Sequence, residues 1–172
     1  GEAREAAITD DGKKFGECGP RLAVEYYGYL NFDSPEMFSD LFFFQKSPFC
    51  TRDILIYFGL PQTPITDAKL NEIKKHGMSA VVVNSRAAAT PNVPIFSHKR
   101  REGGTGRINA EAGGKKCIFI NKWLSQYILN YHQRYDYWVD FIKKYNIKIH
   151  VTWFKYSPDH CALLYAIKNT GG

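Results

Sequence analysis

Four cysteines in 172 residues, Cys18, Cys50, Cys117 and Cys161, are few and far apart. They form no CxxC pair and no Cys/His pair at zinc spacing, so no metal site is expected. Scattered thiols suit a reducing cytoplasm. Cys117 and Cys161 lie in apolar runs and are expected to be small buried hydrophobes. No apolar run is long enough to span a membrane, and no signal peptide opens the chain. Gly1 is not Met, so an excised piece is expected. The sequence also lacks GxSxG, HExxH and a P-loop. Gly103-Gly104 and Gly113-Gly114 follow no strand and do not complete GxGxxG. No helix-turn-helix, zinc-finger or RNP pattern occurs, and the aromatics do not interleave with basic residues. Nucleic acid is therefore not an expected partner.

What is present is enough for a core. Hydrophobic residues make up 44% of the chain, which excludes a disordered polymer. The length fits one domain, or a domain plus an arm. Aromatics reach 15%, mostly Phe and Tyr, and such rings fill a core or stack on planar and sugar surfaces. The net charge of +6 favours phosphates, nucleotides or an anionic membrane face, with plain solubility as the simpler reading.

Residues 1–20 are polar and read as an N-terminal arm. Residues 21–172 read as one α/β domain. Arg21 to Phe32 is a first strand candidate. Phe38 to Phe44 is a short helix candidate capped by Ser34. Asp53 to Phe58 and Met78 to Asn84 are short, wholly apolar strands. Between them Thr66 caps a helix from Asp67 to Lys75, and Gly77 ends it. This rhythm predicts a Rossmann-like, mostly parallel sheet with helices on both faces. Residues 102–114 read as a flexible loop, and Lys116 to Ile120 as a further short strand. From Asn121 to Tyr145 the positions Leu124, Ile128, Tyr131, Tyr135, Trp138 and Ile142 form one helix face, expected to pack on the sheet. Last come a strand from Ile147 to Phe154, a turn, and a helix. Ser157 is its N-cap, Pro158 its first residue, and Gly171 its left-handed stop.

Candidate chemistry gathers at turns after strands. Asp159 and His160 occupy a helix N-terminus at the expected carboxyl edge of the sheet. Asp159 there is a candidate base or hydroxyl ligand, against the plainer role of a first-turn acid favouring the helix dipole. Arg86 follows the second apolar strand, where a guanidinium can clamp a phosphate or carboxylate. Lys99, Arg100 and Arg101 form a basic run suited to an anionic lipid surface, or simply to a solvated loop.

Two blocks resemble a known family. SDLFFFQKSPFCTRDILIYFG (Ser39 to Gly59) resembles the early region of bacterial surface-carbohydrate glycosyltransferases, where an SDLFW segment precedes a strand such as VLxYF. YDYWVDFIKKYNIKIHVTWFKYSPDHCALLYAIKNTGG (Tyr135 to Gly172) resembles a later element, a strand leading through a polar turn to a helix ending in GG. Met78 to Ala89 stands as the equivalent second strand. The resemblance implies half of a two-Rossmann-domain (GT-B) architecture working without a bound metal or other cofactor. This half would hold the oligosaccharide or lipid-linked acceptor at the inner face of the plasma membrane. A missing second domain would hold the nucleotide sugar, so the piece alone is expected to be inactive. Asp159 and His160 become the catalytic candidates, with Arg86, His150 and Ser157 as binding residues. Two other functions compete: a non-catalytic module for a nucleotide or phosphorylated ligand, and an interaction domain using helix 121–145.

Overall fold

The run Ile54-Leu55-Ile56-Tyr57-Phe58 offers no polar face, so it needs cover on both sides and a neighbour along each edge. The computed structural model, which describes residues 19–26, 51–98, 118–152 and 157–172, supplies all of these. In chain order its elements are β1 (Arg21–Glu25), β2 (Ile54–Phe58), α1 (Asp67–Lys75), β3 (Ser79–Val82), α2 (Ile118–Tyr145), β4 (Ile147–Val151) and α3 (Pro158–Asn169). Short 3-10 turns at Thr51–Asp53 and Ser85–Ala87 flank β2 and β3. The sheet order is β3-β2-β1-β4, and every pairing is parallel. All five residues of β2 are buried.

Two cores follow from strand alternation. Ile54, Ile56 and Phe58 join Leu70 and Ile73 of α1 on one face. Leu55 and Tyr57 join Phe141, Ile142 and Tyr145 of α2 and Leu163 and Ala166 of α3 on the other. A parallel sheet with helices on both faces is a Rossmann-like α/β fold. Local signals place the helices. The Thr66 hydroxyl accepts from the Lys69 N–H at 3.3 Å to cap α1, which is worth about 1 kcal/mol. The Ser157 hydroxyl accepts from the His160 N–H at 3.1 Å to cap α3, with Pro158 in the first turn. Gly171 stops that helix at φ +81°. Helix α2 passes to β4 through one residue, Asn146, held at φ 50°. Asparagine tolerates that left-handed conformation better than most side chains.

Several expectations change. The strands are shorter than their apolar runs. Ile118 to Ile120 belong to the first turn of α2, not to a strand. The apolar face of α2 packs on the sheet only in its second half, through Trp138 and Ile142; Leu124 is 44% exposed. Length explains this. A helix of 28 residues runs about 42 Å, whereas a five-residue strand spans about 17 Å. Cys161 is exposed rather than buried, because α3 turns Ala162, Leu163 and Ala166 inward instead. The Ser34 cap, the Phe38 to Phe44 helix and the 102–114 loop lie outside the described residues, as does nearly all of the 1–20 arm. No helix among the described residues is long and apolar enough to cross a membrane.

Candidate functional site

In this strand order the chain steps from β1 outward to β2 and β3, then returns to pair β4 with the free side of β1. The connections on the two sides of β1 diverge, which leaves a crevice at the carboxyl ends of β1 and β4. A cleft of about 1920 Å³ opens there. Glu25 and Thr152 come from the ends of β1 and β4, Tyr57 and Gly59 from the end of β2, and Ser157, Asp159 and His160 from the start of α3. One side of α2, including Arg134, Tyr137 and Trp138, makes the wall.

The inner end is a row of polar groups set by strand register. Glu25 and Tyr57 are direct partners across β1 and β2. Ala23 and His150 are partners across β1 and β4, so His150 projects to the same face. A β-bulge makes that possible. Ile147 pairs with Arg21 and Ile149 with Leu22, so Lys148 is extra. Ile147 therefore joins the α2/α3 core while Val151 packs with the α1 side. Simple alternation would have put Ile147, Ile149 and Val151 together. Instead Ile149 is 51% exposed and His150 turns under the cleft.

The contacts in this row are short. Tyr57 Oη lies 2.7 Å from His150 Nε2, and the two rings stack at 5.7 Å. The Thr152 hydroxyl donates to Glu25 Oε2. Burial first, then the charge of Glu25 and a hydrogen bond with it, hold the Tyr57 phenol well above its ordinary pKa. Burial first, then the nearby His160, depress His150 to about 4, so its imidazole is neutral at pH 7. The Tyr137 hydroxyl donates to the Val83 carbonyl at 2.8 Å. Burial raises its pKa, assisted by Tyr145 and Asp159.

At the outer end, Arg134 of α2 reaches Asp159 of α3 at 3.4 Å. Both side chains are about half exposed, so the pair orients the helix start more than it stabilises the fold. Of the residues expected from sequence, Ser157, Asp159 and His160 line the cleft, and His150 underlies it. Ser157 is engaged as a cap. Arg86 lies on the exposed turn after β3, with its backbone N–H bonded to Asn84 Oδ1, and does not line the cleft. Lys99, Arg100 and Arg101 lie outside the described residues. Glu25, Tyr57, Arg134 and Trp138 also line the cleft, and the sequence alone does not single them out as site residues. Glu25 carried a usable signal: it is the first acid after an apolar strand, where carboxyl-edge ligands bind. Tyr57 carried none, because it sits inside a wholly apolar run.

Among the described residues no group of three His, Cys, Asp or Glu side chains converges as a metal site. No family model matches the chain, and no curated protein or solved structure shows significant similarity to it.

Proposed function

We propose that the domain is the acceptor-binding half of a glycosyltransferase, which moves a sugar from a nucleotide-sugar donor to a surface-polysaccharide acceptor. The observation that supports this most is the mixed lining of the cleft at the β1/β4 crevice. The rings of Tyr137 and Trp138 line the cleft together with the carboxylates of Glu25 and Asp159 and the imidazole of His160. Rings stack on sugar faces, and carboxylates and imidazoles bind hydroxyls. A lining of mixed charge suits a neutral, hydroxyl-rich ligand better than a polyanion. In this reading His160 orients the acceptor hydroxyl, and Asp159 is held in place by Arg134. The nucleotide sugar is met through a second domain. The basic run Lys99 to Arg101 and the net charge of +6 fit an anionic membrane bearing a lipid-linked acceptor.

One feature favours a second reading, a module for a phosphorylated ligand. The positive end of the α3 dipole lies beside Arg134, although the Ser157 cap takes up the His160 N–H and Pro158 has none. Titration of the labelled chain separates the two. Neutral oligosaccharides should shift the Trp138 indole and Tyr137 ring signals saturably, while a nucleoside diphosphate should leave them in place. The reverse pattern would overturn the acceptor reading and leave the phosphate-binding module.

A further inference from the structure

We propose that Glu25, Tyr57, His150 and Thr152 make the inner end of the cleft a hydrogen-bond-accepting surface. It takes a ligand group that donates, such as paired hydroxyls or an amine, and excludes phosphate and carboxylate. The choice of hydroxyl or amino-bearing sugars rests on the acceptor reading above; the polarity of the surface does not.

A carboxylate has no proton to give and offers about four lone-pair sites. Glu25 Oε2 takes the single proton of the Thr152 hydroxyl. Tyr57 stands beside Glu25 in register and also has one proton. If that proton pointed to His150, the phenol oxygen would face the carboxylate with lone pairs against lone pairs in a half-buried place. The consistent arrangement runs the other way. Tyr57 donates to Glu25, and His150 Nε2–H donates to the Tyr57 oxygen across 2.7 Å. Burial keeps His150 neutral, so it holds one ring proton, and that proton is engaged. Tyr137 directs its own proton to the Val83 carbonyl.

Every donor in the row is thus turned toward the protein, while Glu25 keeps acceptor capacity. Glu25 itself lines the cleft, so its carboxylate is open to a ligand. An anion placed at this end would meet a negative charge with no free proton beside it. A hydroxyl or ammonium would find a charged acceptor already oriented, the stronger kind of hydrogen bond.

Two measurements on the intact chain test this. The first is the nitrogen-15 spectrum of His150 in the free protein. A proton on Nε2 is expected; a bare Nε2 would reverse the chain of hydrogen bonds and overturn the proposal. The second follows the Thr152 and Gly59 amide signals during titration with glucosamine, with tris(hydroxymethyl)aminomethane, and with inorganic phosphate. Saturable shifts are expected with both amines and none with phosphate. Phosphate binding at these signals, or no response to either amine, overturns the proposal. A response to the amino polyol without one to glucosamine upholds the accepting surface and removes the sugar reading instead. Glu25→Gln, which exchanges an acceptor oxygen for N–H donors, should weaken amine binding about tenfold or more. Both wild-type measurements decide the matter even if that variant fails to fold.

Discussion

A neutral imidazole beneath a cleft makes the folded state sensitive to acid. His150 has a folded pKa of about 4, below the 6.5 of an open chain. Between those values the unfolded chain binds a proton that the folded chain does not. Stability therefore falls as pH drops from 6.5 to 4, and the loss levels off below that. The loss amounts to about 3 kcal/mol. His150→Gln should flatten this part of the pH profile, read as the difference between urea midpoints near neutrality and near the folded pKa. Equal differences in variant and parent would assign the acid sensitivity to other groups. The histidine itself was legible in the sequence, as an imidazole near a strand end. Its neighbours were not. Tyr57 looks like one more apolar position in DILIYF, and only strand register brings it beside Glu25. Arg134 reads as a solvent-facing residue of α2; its meeting with Asp159 depends on how two helices cross.

The helices were the most legible elements, because their ends are written in local chemistry. Thr66, Ser157, Pro158, Gly77 and Gly171 mark boundaries through caps and left-handed stops that need no tertiary partner. The two glycines differ in what surrounds them. A Cβ on Gly171 would meet nothing closer than Lys148 Nζ at 3.5 Å, whereas one on Gly77 would lie 2.9 Å from Thr51 Oγ1. Alanine at either site incurs the left-handed strain, about 1–2 kcal/mol. Gly77→Ala should add an overpacking penalty of about 1 kcal/mol or more, so its denaturation midpoint should fall further than that of Gly171→Ala. Equal losses would show that Thr51 moves aside freely. Strand ends were less legible, since an apolar run says what is buried but not where pairing stops. The first turn of α2 reads as a strand in the sequence because Ile118, Phe119 and Ile120 suit either structure. The bulge at Lys148 left no mark in the pattern at all. It arises from the pairing of β4 with β1, which are far apart in sequence.

Burial of phenols sets the alkaline limit of the protein. Tyr57, Tyr137 and Tyr145 all have pKa values raised above 10, chiefly by burial. Their contribution to stability is complete below pH 10 and is lost as pH climbs toward the folded values. The chain should unfold cooperatively above about pH 10, with phenolate absorbance and loss of near-ultraviolet dichroism rising together. Tyr145→Phe should move that transition to higher pH. Full tyrosine ionisation with dichroism intact would show that water reaches these rings in the native state. The parallel order β3-β2-β1-β4 bears on how the molecule forms. β1 is central, yet its two neighbours begin at Ile54 and Ile147. Neither contact is local, and the second closes a loop of more than a hundred residues. Such topology folds slowly for its size. During synthesis, one edge of β1 has no β4 to pair with until more than a hundred further residues have left the ribosome, so chaperones have a long opportunity to act on the strand that carries Glu25.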